Sequence, residues 1–401
     1  MVHFGIICPS STGHLNTMLP LGQELQQRGH RITLFGLLDA EPKTLVAGLE
    51  FWAIGETEFP SGATAKLLAQ QGQLSGLAAE RYTFNLFMQL AVVMLRDAPA
   101  SIQAAGVEAL LVDQCLLEGG TIADFLAIPF VTICSAMLSN QESNVSHGII
   151  KPLTDLIAQY RQEWKLPLYS HLNDAFSGLA QLSQAPPEFE FTGGQQLPQW
   201  FHFTGPYHSS SGRQPVPFPY EKLTGKPLIY ASMGTVQNRL INVFQIIASA
   251  CGSLDAQLVI SLGGSAKPES LPELQGNPIV VEYAPQLELL EKATMMITHA
   301  GMNTTMECLK NGVPIVAIPI ANDQLGVAAR ITWTEVGEVV PLTKLNVERL
   351  QEAIKRVLTQ EVYKKNALRL QAAIERAGGV SRAVDIIEQA VSTGKPVLAQ
   401  K

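Results

Sequence analysis

Met295-Met296-Ile297-Thr298-His299-Ala300-Gly301-Met302-Asn303-Thr304-Thr305-Met306-Glu307, then Gly312-Val313-Pro314-Ile315-Val316-Ala317-Ile318-Pro319 and Asn322-Asp323-Gln324, is the stretch on which the reading of this chain turns. An apolar strand, a small-residue loop, a helix and a second buried strand follow one another, with the polar residues gathered where the strands end. In an open parallel sheet that edge is the ligand crevice, and helix N-termini there present N–H groups and a positive dipole end to an anion. A phosphorylated ligand is therefore expected. The missing side chain at Gly301 lets a phosphate approach the backbone beside His299, and Asn303, Thr304 and Thr305 supply donors at the helix start. A capping box of Thr304 with Glu307, closed by the Gly312–Pro314 stop, accounts for part of the pattern, but not for His299, Asn303 or the Asp323-Gln324 pair.

The same alternation extends in both directions. At the start, Phe4 to Cys8 reads as a strand, Ser10-Ser11-Thr12-Gly13-His14 as a loop, the following residues to about Arg28 as a helix, and Arg31 to Phe35 as a strand. That βαβ unit favours a parallel sheet with right-handed crossovers. Further strands are expected at Phe51–Ile54, Ala109–Asp113, Pro129–Cys134 and Phe201–Thr204. A second series runs through Leu228–Ser232, Gln257–Ser261, Ile279–Tyr283, Met295–Thr298, Ile315–Ile318 and Glu338–Pro341. Between the two lies a Ser/Pro/Gly-rich stretch from Gly205 to Pro217, the expected linker. The fold class is α/β, with two doubly wound halves facing across a cleft.

A length of 401 residues exceeds one ordinary core, and 46% hydrophobic residues suffice for two. The net charge of −7 argues against a general polyanion-binding surface and hence against nucleic acid as partner. Five scattered cysteines without C-x-x-C spacing read as small buried hydrophobes in a reducing cytoplasm, with no metal or disulfide role. No signal peptide and no spanning helix are expected.

His14 lies on the loop after the first strand, where an imidazole titrating near neutrality suits a general base for an alcohol. Asp113 ends a buried strand at the same sheet edge, and a carboxylate bonded to the far imidazole nitrogen fixes the tautomer and stabilises the imidazolium. Each also has an ordinary structural alternative. His30, in a helix-to-strand turn, reads as structural, and His147, His171, His202 and His208 carry no supporting pattern. The run Tyr82 to Leu90 fits either an apolar channel wall or core. The polar segment 139–147 is a candidate cleft loop.

His299-x-Gly301-x-Asn303-Thr304-x-x-Glu307, preceded by Tyr283-Ala284-Pro285-Gln286 and followed by Asp323-Gln324, resembles the nucleotide-sugar signature of the family 1 UDP-glycosyltransferases. The stretch Asp323 to Arg330 is especially similar to the zeaxanthin glucosyltransferases. The resemblance implies the GT-B fold: an acceptor domain over 1–206, a linker over 207–226, a nucleotide-sugar domain over 227–380 and a final helix, 381–401, packing back on the first domain. It places Tyr283 where the family usually has a Trp stacking on uracil, with Ala284 and Gln286 beside the nucleoside. His299, Gly301, Asn303 and Thr304 would hold the pyrophosphate with the loop Ser232-Met233-Gly234-Thr235, and Glu307 the ribose. Asp323 and Gln324 would read the sugar, and Met302 stands where plant members carry Trp. Gly13-His14 matches the family's N-terminal Gly-His, making His14 the base, with Asp113 at the matching strand end.

The implied reaction is an inverting, metal-independent transfer of a hexose from a UDP-sugar, expected to be UDP-glucose, with no resident cofactor. The acceptor is a lipophilic hydroxylated small molecule, with a hydroxylated carotenoid favoured by the resemblance around Asp323. Flavonoids and polyketides are the alternative acceptors; a non-catalytic UDP-sugar binder would have no use for His14. A lipid-soluble acceptor leaves room for transient membrane association, although no basic amphipathic helix supports it.

Overall fold

The near-continuous apolar runs at Phe4–Ile7, Ala109–Val112 and Leu228–Ala231 are what strands covered on both faces require, and in the computed structural model, which describes residues 1–136, 144–191, 197–208 and 215–399, all three are buried. Among the described residues, seven strands form the first sheet: β1 (His3–Ile7), β2 (Arg31–Gly36), β3 (Glu50–Ala53), β4 (Ala109–Asp113), β5 (Phe130–Cys134), β6 (Gln181–Ser183) and β7 (Phe201–Phe203). Six form the second: β8 (Leu228–Ser232), β9 (Gln257–Ser261), β10 (Ile279–Val281), β11 (Ala293–Thr298), β12 (Ile315–Ala317) and β13 (Gly337–Val339). The orders are β3-β2-β1-β4-β5-β6-β7 and β10-β9-β8-β11-β12-β13, and every pairing is parallel. Each sheet therefore reverses its winding once, between β1 and β4 and between β8 and β11. Beyond the C-terminal ends of those strand pairs open the crevices in which such sheets bind ligands.

Strand β6 is absent from the sequence reading. It is three residues long and two of them are polar, so it carries neither alternation nor an apolar run. The sheet forms it by pairing on both sides, with Gln181 Nε2 donating to the Ser177 carbonyl at 3.1 Å and Ser183 Oγ accepting from Ala185 N–H at 3.2 Å. Residues 139–143 of the candidate cleft loop and 209–214 of the linker lie outside the described residues; residues 144–147 begin the helix Asn144–Glu163.

The helix Gly379–Thr393 returns to the first half. Gly378 and Gly379 have φ of 89° and 60°, a left-handed turn that glycine enters without a Cβ penalty, and Gly379 N–H donates to the Thr204 carbonyl. Ala383, Val384, Ile387 and Ala390 then join the same apolar core as Phe4, Ile6, Leu15 and Leu111. At its rim Arg28 pairs with Asp385 at 2.6 Å and Glu388 at 2.8 Å, and His30 Nε2 meets Glu388 Oε1 at 2.9 Å. His30 is thus a structural residue, remote from either crevice. Ile387 is fully buried, so Ile387→Ala is expected to cost about 2–5 kcal/mol from lost transfer energy and the cavity left behind, read as a lower urea midpoint.

Candidate active site

The first crevice brings His14 and Asp113 together. His14 enters on the first turn of the helix Thr12–Gln27, directly after β1, and Asp113 is the last residue of β4, beside β1. His14 Nδ1 lies 2.8 Å from Asp113 Oδ2, and Ser135 Oγ, just past β5, is 3.0 Å from the same nitrogen. The other Asp113 oxygen accepts Cys115 N–H at 2.9 Å, and the carboxylate is fully buried. Because a carboxylate can only accept, the neutral imidazole carries its hydrogen on Nδ1 and keeps the Nε2 lone pair for a proton from elsewhere. Burial pulls the His14 pKa down, but the charge and hydrogen bond of Asp113, joined by the charge of Asp323, outweigh it and hold the pKa above its ordinary value.

Cys115 also approaches: its Sγ, a His14 nitrogen and an Asp113 oxygen lie within 4.8 Å of one another. As a donor set for a metal this is poor. Nδ1 and both carboxylate oxygens are engaged, and burial together with Asp113 and Asp323 pushes the thiol well above its ordinary pKa, away from the thiolate a metal needs.

The second crevice is built around His299, which follows β11 directly. Its ring fits between two glycines: a Cβ at Gly234 would lie 2.5 Å from Cε1, and one at Gly301 2.5 Å from Nε2. Gly234, at φ 73°, also needs glycine for its backbone. Burial lowers the His299 pKa to about 4, so the imidazole is neutral at pH 7 and meets an anion as an N–H donor, not as a cation. Ala300 beside it holds φ 65°, a conformation rare for a residue with a Cβ. This turn delivers the chain into the helix Met302–Lys310, whose N-cap is Gly301. Among the described residues no side chain caps that helix, so the Thr304–Glu307 capping box does not form and the first-turn N–H groups are left to the cleft.

One cavity of about 320 Å³ joins the two crevices. It is lined by Gly13, His14, Ser232, Gly234, Thr235, Tyr283, Ala284, Gln286, His299, Gly301, Met302, Asn303, Thr304, Glu307, Asp323 and Gln324, whereas Thr305, also expected as a donor, is turned inward and fully buried. Several are committed in ways the sequence did not reveal. Asn303 donates to the Gly13 carbonyl at 2.7 Å and accepts from Gln184 and Thr17, bonding across the cleft. Gln324 is buried, its oxygen already accepts from Ile320 N–H at 2.8 Å and Ala321 N–H at 3.0 Å, and its amide donates to Gln237 Oε1 at 3.2 Å, so one amide hydrogen at most is left for a sugar. The Met302 side chain belongs to the apolar core. Asp323 occupies the N-cap position of the helix Gln324–Trp333 without a side-chain cap bond. Tyr283 is half exposed, with its ring over Gly264, where a Cβ would collide with the phenol. Glu307 is bonded by Gln286 Nε2, and His208 Nδ1 stands 3.4 Å from its other oxygen.

A second cavity of about 460 Å³ adjoins the first through His14, Ser11, Gln237, Asn322 and Asp323. Its walls are mainly apolar: Leu37, Phe59, Leu67 and Leu68, with Phe84, Phe87 and Leu90 of the helix Gly76–Ala105. The run Tyr82 to Leu90 therefore lines a channel on one face while Leu90 also packs into the core behind it.

Ser135, Gln184, His208 and Asn238 were missed. Ser135 was within reach, since it follows a strand read as ending at Cys134. Gln184 follows the unforeseen β6, and His208 lies in the linker. Asn238, whose amide donates to the carbonyls of Gly234, Leu262 and Gly263 at 2.8–3.0 Å, staples two strand-end loops and has no local signature.

Residues 213–381 match the family model described as UDP-glucoronosyl and UDP-glucosyl transferase. The chain is 29% identical to a zeaxanthin glucosyltransferase of Pantoea ananas, covering 100% of this chain and 98% of that protein. It is 26% identical to an NDP-glycosyltransferase of Bacillus subtilis (strain 168), covering 96% of each. Among solved structures, the calicheamicin glycosyltransferase superposes with a TM-score of 0.77 at 21% identity, over 99% of this chain and 100% of that one. The second half of the chain thus matches the UDP-glycosyltransferase family, and the chain is a transferase of GT-B fold. Among the described residues no helix is long and apolar enough to cross a membrane.

Two expectations follow for the imidazoles. Asp113→Asn removes the charge that raises His14, so the acid limb of kcat/KM moves to lower pH while the plateau falls by roughly 10²–10⁴-fold; a pH–rate profile reads both. For His299 the folded pKa lies below the unfolded one, so its contribution to stability is present above pH 6.5 and is lost as pH falls towards 4. The stability difference between the parent and His299→Asn is expected to shrink across that window in urea unfolding.

Proposed function

We propose that the protein transfers a hexose, with inversion, from UDP-glucose to the hydroxyl of a lipophilic small molecule. The observation that carries this reading is the position of His14, which lines both the polar donor cavity and the apolar cavity beside it while Asp113 holds its Nδ1. In this reading the acceptor lies against Phe84 and Phe87 with its hydroxyl at His14 Nε2. As the acceptor oxygen bonds to the anomeric carbon, the bond from that carbon to the UDP oxygen breaks and His14 takes the hydroxyl proton. Asp113 then stabilises the imidazolium. The leaving diphosphate carries the charge that develops, and it meets the uncapped N-terminus of Met302–Lys310 and the N–H of His299. Asp323, facing both cavities, accepts hydrogen bonds from the sugar, Tyr283 stacks on the base, and Glu307 accepts from the ribose hydroxyls. Preorganised donors of this kind do the work that a metal does elsewhere, so the reaction is proposed to run without one.

Hydroxylated carotenoid is the acceptor class we favour, on the similarity to zeaxanthin glucosyltransferases and the apolar lining of the second cavity. Flavonoid or polyketide alcohols are the second reading, and the breadth of a mainly apolar pocket favours it.

The test is UDP release, with mass spectrometry of the products, from UDP-glucose mixed with hydroxylated carotenoids, flavonoids and sterols. A hexose-shifted product, reduced by about 10²–10⁴-fold in His14→Ala, is expected. A His14→Ala variant that binds UDP and turns over as fast as the parent would overturn the mechanism. Phe87→Ala is expected to raise the acceptor KM by roughly tenfold or more, from lost apolar contact, with little change in the KM for UDP-glucose.

A further inference from the structure

We propose that Gln184 is a positioning residue of the transfer, holding the His14 base and the first turn of the helix Met302–Lys310 at a fixed spacing across the cleft. This rests on the reading of His14 as the base.

Gln184 follows β6 immediately and is 1% exposed. Its amide has two hydrogens, and both are used: one is donated to the Ser135 carbonyl at 2.7 Å and the other to Asn303 Oδ1 at 2.8 Å. Ser135 sets its hydroxyl 3.0 Å from His14 Nδ1, on the side of the ring that Asp113 also holds. Asn303 in turn donates to the carbonyl of Gly13, the residue before His14, and accepts from the Thr17 hydroxyl at 3.2 Å. The donor-side helix is thus tied to the base along two routes, through Gly13 on its own backbone and through Gln184 and Ser135 on the neighbouring strands.

A single buried amide joins a group from the acceptor half to one from the donor half, and its length fixes their separation. A displacement needs base, acceptor oxygen and anomeric carbon aligned, and an error of about 1 Å in such a geometry costs on the order of 10²-fold in rate. Gln184 is not among the residues lining either cavity. Its loss is therefore expected to lower kcat and spare the affinities, which a contact residue would not do. The two carbonyl oxygens it serves would also lose a buried partner, so shape alone does not replace it.

The experiment follows UDP release from UDP-glucose with zeaxanthin or a flavonol, whichever is faster, or hydrolysis of UDP-glucose if neither reacts. Parent, Gln184→Met, Gln184→Glu, Asn303→Ala, the Gln184→Met/Asn303→Ala double variant and His14→Ala are compared. Gln184→Met keeps the volume and is expected to lower kcat by about 10–100-fold with KM values within about threefold. The double variant is expected to be no more than about twofold slower than the slower single, because both substitutions cut one link. Gln184→Glu can donate one bond only when protonated, so its turnover relative to the parent should rise as pH falls. The pH trend of that ratio does not depend on the folding of Gln184→Met and carries the test if Gln184→Met melts early. A folded Gln184→Met with kcat within about twofold of the parent, or a multiplicative double variant, overturns the positioning role. So does a Gln184→Glu ratio that is flat with pH. A fully active His14→Ala overturns the base assignment instead, whatever Gln184 does.

Discussion

Two reversals of winding govern this molecule. In each parallel sheet the connections leave one strand towards one face and its neighbour towards the other, which parts the loops beyond those two strand ends and opens a crevice that side chains can enter. Between β1 and β4 the crevice receives His14 and Asp113; between β8 and β11 it receives the Gly234 loop and His299. The two crevices share one cavity, so His14 with its carboxylate partner faces the His299 turn and the helix end of the other sheet. No single half contains both.

The two imidazoles show how local surroundings divide labour between identical side chains. Burial disfavours the charged form of both. At His14 a buried carboxylate reverses that effect and leaves a ring poised to hold a proton; at His299 nothing reverses it, and the ring is a neutral donor wedged between two glycines. The glycines matter here for space as much as for conformation, since a methyl group at either position would meet the ring.

The halves are joined by more than the linker. The last helix completes the apolar core of the first half, so the chain's C-terminal segment and its first strand share one hydrophobic body. Across the cleft, Asn303 bonds to Gly13 and Gln184, and Gly76 N–H donates to the Ile320 carbonyl. To these the described residues add Thr83 Oγ1 donating to Asn322 Oδ1 at 3.1 Å and the ion pair of Arg330 with Glu190, bonds that set a spacing while the two apolar cores carry most of the stability.

Most of the fold was legible because parallel strands buried on both faces must be written as apolar runs, and their polar residues must collect at the ends; His14, Asp113, His299 and Asp323 all lie within a few residues of such an end. By itself the sequence determined two doubly wound halves, the edge on which chemistry gathers, and a nucleotide-sugar signature. Only the tertiary structure decided the partners of those residues. That Asn303 reaches back to Gly13, that Gln324 donates to Gln237, that Glu307 faces His208, and that β6 exists to carry Gln184 all depend on groups distant in the chain. Hydrogen bonds of that kind are satisfied by whatever donor or acceptor the packing brings within about 3 Å, and one-dimensional spacing holds no record of it.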